Sequence, residues 1–347
     1  MRWSSGKITG IIHVNLYSQE VRMQKYQVFV TRQIPQSGLD ILQPHCHVDV
    51  WPENLPPTRQ QMLESVSGIQ GLLSLLTDLV DDAVMQAAGE QLRVISNYAV
   101  GLDNIDLMSA TRRGIAVGHT PDVLTEACAD LTFALLLAAT RRILEGDRQV
   151  RAGDWLTWQP MGLLGMDVHG RTLGLVGFGR IGQAVAKRAK GFDMSVLFYD
   201  PHYNGIQNMN NVISVGFDEL LAQSDFVSLH APLTPQTYHL IDKQAIARMK
   251  PEAILINTAR GGLVDQEALY TALASGYLAA AALDVTDPEP IPTDHPLLKL
   301  PNLLVTPHIA SASYTARNRM AVMAAQNLLA GLRGERLPHC ANPEVYN

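Results

Sequence analysis

An α/β protein of two parallel-sheet domains is predicted by three features of this 347-residue chain. Strand-length apolar segments alternate with helical stretches, the alternation restarts after a long apolar stretch mid-chain, and a glycine-rich turn opens the second run. Length points the same way, since single cores stop growing near about 250–300 residues. Apolar residues make up 47% and charged residues 17%, the balance of a core-rich globular chain. Net charge is −6 without a basic run, which argues against nucleic-acid or anionic-membrane partners. Three scattered cysteines without C-x-x-C suit a reducing, cytoplasmic setting. The most apolar run, LTFALLLAA (131–139), falls short of the ~20 residues a membrane span needs. Residues 1–23 hold only the short apolar patch GIIHV and no cleavage pattern, and read as a loose leader.

In the first run, YQVFV (26–30) is a strand whose Val28, Phe29 and Val30 suit burial on both faces. Further strands are expected at VDVW (48–51), IQGLLSLL (69–76), LRVISNYA (92–99) and GIAVGHT (114–120), with helices near 59–66 and 82–90. Residues 121–143 read as one long helix, with Pro121 in its first turn and Arg141 and Arg142 opposing the dipole in its last. Its all-round apolarity calls for burial on several sides. Six strands follow, at RTLGLV (171–176), 195–199, 226–230, 253–257, 279–283 and 303–305. The stretch 314–332 is a last helix that packs back on the first domain.

GLVGFGRIGQAVA contains Gly177-x-Gly179-x-x-Gly182 between a strand and a helix, with Phe178 inside the motif. That context suits a Rossmann-like dinucleotide site. The first glycine makes the turn, the second admits a pyrophosphate, the third packs helix on strand, and the helix N-terminus receives the anion. Arg180 adds a cation there. The next strand ends in Asp200, a carboxylate that binds ribose hydroxyls and repels a 2′-phosphate, and PHYNGIQNMNN after it holds no Lys or Arg. NAD, with NADH preferred over NADPH, is the expected cofactor.

Three later strand ends carry polar groups: Arg260 in INTARGGLVD, Asp284 and then Glu289 in ALDVTDPEP, and His308 in VTPHIASAS. An arginine can grip and orient an α-keto carboxylate. A histidine can deliver the proton that must reach the carbonyl oxygen as hydride reaches the carbon. A carboxylate touching the imidazole fixes its tautomer and favours its charged form. Arg260, Glu289 and His308 therefore make a catalytic set, gathered along one sheet edge into a cleft between domains.

The motifs VGFGRIG, LHAPLTPQT, INTARGGLVDQEAL, AALDVTDPEP, TPHIAS and NYAVGLDNID, spread over about residues 26–335, resemble the D-isomer-specific 2-hydroxyacid dehydrogenases. GLLSLLTD, HTPDVLTEACADL, WLTWQP, PIPTDHPLL and NLLAGLRGE are most similar to the glyoxylate/hydroxypyruvate reductase branch. The resemblance implies reduction of small 2-keto acids to D-2-hydroxy acids, with Arg260, Glu289 and His308 as the catalytic triad. It implies substrate contacts from Leu76, the backbone of Val100 and Gly101, Ser311, and Trp158 reaching into a partner's site. Thr125, Arg180, Ile181, Asp200, His230, Pro232, Thr237, Thr258, Ala259, Asp284, His308 and Ala310 would line the cofactor groove beside the glycine motif. It also implies a homodimer built on 121–143, and a discontinuous substrate domain (24–119 and 308–347) around a cofactor domain (120–307).

Mammalian reductases of this branch carry basic residues where Asp200 stands, which sets this chain apart on cofactor choice. Phosphite dehydrogenase shares the motifs but has a lysine where Val100 stands here, and 3-phosphoglycerate dehydrogenase calls for a basic cluster not evident here. A dehydrogenase for a larger D-2-hydroxy acid and an NAD-sensing, corepressor-like binding protein are the other readings; the intact Arg/Glu/His set favours an enzyme. His45-Cys46-His47 has no third ligand at suitable spacing and reads as a turn, as does His169, so no metal site is expected.

Overall fold

Strand β1 (Tyr26–Val30) has Val28, Phe29 and Val30 covered on both faces, as a parallel strand between helical layers requires. The computed structural model describes residues 25–205 and 211–347. The expected leader, 1–23, lies outside the described residues.

The first run continues with α1 (Gln36–Leu42), β2 (Cys46–Val50), α2 (Arg59–Ser65), β3 (Gly71–Ser74), α3 (Asp82–Ala88), β4 (Val94–Asn97), α4 (Leu107–Arg112) and β5 (Ala116–Gly118). Its five strands are all parallel, in the order β2-β1-β3-β4-β5. Side-chain caps start three of these four helices: Thr58 and Gln61 form a capping box on α2, and Asp81 and Asp106 cap α3 and α4.

Residues 121–143 are not one helix. Asp122 takes a φ of 70°, so α5 (Thr125–Thr140) begins after it and Pro121 lies ahead of the first turn. At the other end the Thr140 carbonyl accepts from Met166 N, and Arg142 turns left-handed at φ 52° before α6 (Ile143–Ala152). Arg141 and Arg142 therefore lie beyond the last turn of α5, and the Arg142 guanidinium bonds Glu145 in the next helix. Helix α5 packs on α7 (Arg180–Ala189), β10 (Ile254–Asn257) and β11 (Ala280–Leu283). No residue of α6 is buried.

The second run also holds β6 (Thr172–Val176), β7 (Ser195–Tyr199), β8 (Val212–Ser214), α8 (Phe217–Gln223), β9 (Phe226–Leu229), α9 (Lys243–Arg248), α10 (Gln266–Ala274) and β12 (Leu303–Val305). The parallel sheet has seven strands, β12-β11-β10-β9-β6-β7-β8. The strand beyond the six expected is β8, a three-residue edge strand with two exposed positions, too short and too wet to show in an apolar pattern. Helix α11 (Tyr314–Leu332) returns to pack on α1, β3 and β4 of the first sheet. The tail then ties to β5, where the Asn342 side chain accepts from Val117 N at 2.8 Å and donates to Ile115 O at 3.0 Å.

Candidate active site

Strand order reverses between β9 and β6, which opens a crevice at their carboxyl ends, the place where open α/β sheets bind nucleotides. Gly177 follows β6 with a φ of 94°, and a Cβ there would lie 2.6 Å from the His230 carbonyl carbon after β9. Only glycine allows both that conformation and that approach. A Cβ on Gly182 would meet Gly177 O at 2.4 Å, so helix α7 sits hard against the turn. A Cβ on Gly179 would meet nothing within 4 Å, and as N-cap of α7 this residue spends no side chain on the helix's free N–H groups. Open space over unspent donors at a helix N-terminus fits a dinucleotide pyrophosphate.

Phe178 stacks on Phe198 at 3.9 Å between ring centroids and donates its N–H to Asp200 Oδ2 at 2.8 Å. Asp200 Oδ1 accepts from His202 N at 2.9 Å, so the carboxylate is fixed at the rim of the crevice. Arg180 does not stand alone beside the helix terminus: its Nε lies 2.5 Å from Asp122 Oδ1.

A cavity of about 480 Å³ runs between the two sheets. Among the residues expected from the sequence, Leu76, Val100, Gly101, Ile181, His230, Pro232, Thr258, Ala259, Arg260, His308, Ala310 and Ser311 line it. Glu289 reaches it through His308, whose Nδ1–H donates to Glu289 Oε1 at 2.6 Å. His308 itself takes a φ of 52°, unusual for a residue with a Cβ. The Asp284 carboxylate, 1% exposed, holds that turn from behind. It accepts from Thr306 Oγ1 at 2.6 Å, Ile309 N at 2.8 Å and Ala310 N at 2.7 Å.

Arg260 faces an acid that reasoning from sequence passed over. Its Nη2 lies 3.0 Å from Asp103 Oδ1, its Nε lies 3.2 Å from both Asp103 oxygens, and its Nη1 donates to Ala259 O at 2.8 Å. Burial pushes the Asp103 carboxyl up, but hydrogen bonding and attraction from Arg260 outweigh it and hold the group below the usual carboxylate range. Three of the five guanidinium N–H donors are thereby used, leaving one on Nη1 and one on Nη2 for a planar anion. The signal for Asp103 lay in its position, two residues after Gly101 in AVGLDN.

Burial pushes the His230 imidazole down to about 4, so it is neutral at pH 7, and its Nε2 lies 2.9 Å from Ser228 Oγ. Cys128, another wall residue missed from sequence, has its thiol pushed up to about 12, chiefly by burial and then by Asp284, and stays protonated. Thr237 lies outside the cavity and braces its edge, with Oγ1 donating to Pro232 O at 2.7 Å. Thr125 opens α5 and does not line the cavity. Trp158 is 79% exposed on an outer face and touches no part of its own chain's cavity. Among the described residues, no three His, Cys, Asp or Glu side chains group so as to hold a metal, and no helix is long and apolar enough to cross a membrane.

A glycine turn at the switch point, facing a histidine–carboxylate pair and an arginine across one cleft, is the arrangement of a nicotinamide-dependent dehydrogenase. The family model for the NAD-binding domain of D-isomer-specific 2-hydroxyacid dehydrogenases matches residues 133–310. A glyoxylate reductase of Korarchaeum cryptofilum is 53% identical over 323 residues, 92% of this chain and 97% of that one. The crystal structure of a glyoxylate reductase from Paecilomyes thermophila superposes with a TM-score of 0.82 at 30% identity, covering 93% of this chain and 99% of that one. An NADPH-dependent glyoxylate/hydroxypyruvate reductase from Sinorhizobium meliloti, solved with NADP and malonate, gives 0.78 at 28% identity, covering 93% and 98%. The chain belongs to the D-isomer-specific 2-hydroxyacid dehydrogenases.

Proposed function

We propose that this enzyme reduces small 2-keto acids, glyoxylate and hydroxypyruvate first among them, to 2-hydroxy acids of the D configuration where chiral. The observation that carries this reading is the 2.6 Å His308–Glu289 pair sharing a cavity with Arg260. When bound along the crevice, a reduced nicotinamide supplies hydride to the carbonyl carbon. Arg260 holds the substrate carboxylate and polarises the carbonyl through its two remaining donors. His308, kept in one tautomer by Glu289 on Nδ1, gives the proton on Nε2 to the carbonyl oxygen. In the reverse direction the neutral ring takes that proton back. Backbone N–H groups of the Val100–Gly101 loop add donors for the carboxylate, Leu76 limits the room for the substrate side chain, and Ser311 lies beside the histidine.

NADH is the preferred cofactor, because the Asp200 carboxylate at the crevice rim opposes a 2′-phosphate. Thr258 and Ala310 belong to the groove that holds it, while Thr237 and Asp284 brace its wall from behind through Pro232 O and the Ile309 and Ala310 N–H groups. The substrate domain comprises 24–119 and 308–347 and the cofactor domain 120–307; the return of α11 to the first sheet supports that division. The enzyme acts as a cytoplasmic homodimer, in which the exposed Ile143, Val150, Trp155, Leu156, Trp158 and Met161 are covered by a second copy. Light scattering of the purified protein checks the dimer.

A panel of 2-keto acids assayed with NADH and NADPH, ranked by kcat/KM, tests the reading. It expects glyoxylate and hydroxypyruvate at the top with NADH. Higher kcat/KM for bulky 2-keto acids points instead to a dehydrogenase for larger D-2-hydroxy acids, and no turnover with any of them removes the enzymatic reading in favour of a binding protein.

A further inference from the structure

Behind the wall that carries Val100 and Gly101, two side chains hold the backbone by its carbonyls. His119 Nδ1 lies 3.2 Å from Val100 O, and Asn97 Nδ2 lies 3.0 Å from Gly101 O. A carbonyl only accepts, so His119 carries its hydrogen on Nδ1. In a planar trans peptide the C=O and N–H point opposite ways, so a carbonyl pinned from behind aims the following N–H forward. The N–H groups concerned are those of Gly101 and Leu102, and among the described residues neither meets an acceptor. Both residues line the cavity. Two successive unspent N–H groups on a concave wall form a small anion-binding nest.

The two anchors are themselves well held. His119 donates its N–H to His339 O at 3.2 Å, and its carbonyl accepts from Asn327 Nδ2 at 2.9 Å. Asn97 closes β4, fully buried, with Nδ2 also reaching Asn104 Oδ1 at 2.9 Å and Oδ1 accepting from Ser74 Oγ at 3.2 Å. Burial holds the His119 ring below its ordinary pKa against the pull of the Val100 carbonyl, so the ring is neutral with a single N–H.

We propose that His119 and Asn97 are positioning residues for the substrate carboxylate: neither touches the substrate, and each fixes a peptide so that the Gly101 and Leu102 N–H groups face it. The proposal rests on the cavity being a 2-keto-acid site. His119→Ala is the first variant, His119→Phe keeps the ring volume without a donor, and His119→Asn keeps a donor. KM for the best 2-keto acid, Ki for oxamate (a carboxylate with no reducible ketone) and Kd for NADH are measured on each. Loss of the anchor raises KM and oxamate Ki together by about tenfold, the worth of one hydrogen bond to a charged group. kcat stays within about threefold and NADH Kd is unchanged, because hydride and proton transfer groups lie elsewhere. His119→Asn recovers most of the loss. KM and Ki within about twofold of wild type in both His119→Ala and His119→Phe, or a loss that His119→Asn does not recover, overturns the proposal. A wild-type enzyme inactive on every 2-keto acid fails the functional reading instead, so the two failures are distinguishable.

Discussion

Gly101→Ala separates the position of the arginine from the stability of the fold. A Cβ on Gly101 would stand 1.7 Å from Arg260 Nη2 and 2.8 Å from Asp103 Oδ1. Ordinary contact begins near 3.4 Å, so the guanidinium has to retreat by about 1.7 Å (3.4 − 1.7), which breaks its 3.0 Å bond to Asp103. The retreat is sterically cheap because the guanidinium ends a flexible side chain. The lost pair is partly solvated, with Arg260 27% and Asp103 46% exposed, so it is worth at most about 1 kcal/mol. That corresponds to a fall in Tm of at most about 4 °C. Catalysis is far more sensitive, since misplacing a positioning group by about 1 Å costs about 10²-fold. Steady-state NADH oxidation should show kcat/KM for the 2-keto acid down by about 10² or more, with NADH Kd and circular dichroism unchanged. A variant within threefold of wild-type kcat/KM would refute the placement of Arg260 in the substrate site. A fall in Tm much beyond about 4 °C would show that Gly101 serves the fold instead.

His308→Ala should cut turnover by about 10²–10⁴-fold while NADH still binds, measured by steady-state kinetics and fluorescence titration; wild-type turnover ends the proton-donor assignment. Asp200→Ala should narrow the ratio of kcat/KM for NADH over NADPH, and an unchanged ratio removes Asp200 from cofactor discrimination. His230 gives a pH signature. Its folded pKa of about 4 lies below the unfolded value near 6.5, so as pH falls the unfolded chain takes up the proton first and stability is lost from about pH 6.5 down to about 4. Between pH 7 and 5 that amounts to about 2 kcal/mol. Urea unfolding should show His230→Gln losing about that much less than wild type over the interval, and equal losses in the two proteins would overturn it.

How much of this was legible beforehand follows from the range of the interactions involved. The central strands of both sheets, β3, β4, β9, β10 and β11, show as apolar runs because they are covered on two faces; the edge strand β8, with two of its three positions exposed, does not. The 121–143 stretch misled because apolar composition marks burial and does not mark where the backbone turns. Asp122 and Arg142 adopt left-handed conformations there, and Thr140 gives its carbonyl to Met166. Asp103 went unremarked because nothing nearby in the chain needs a carboxylate; its partner is 157 residues away. His119 and Asn97 act through backbone carbonyls, which no residue pattern advertises.

The residue order alone determined the chemistry on offer: a glycine turn after a strand, an acid at the next strand end, an arginine and a histidine at later ones, and a glutamate in the proline-rich loop between those two. These are local facts of side-chain type and backbone freedom. Only the tertiary structure decided which atoms meet. Register and strand order put Gly177 against His230, Glu289 on the Nδ1 side of His308, and Arg260 across the cleft on Asp103. A pairing between distant segments is set by how sheets stack and where loops cross, and that free energy belongs to the packed whole.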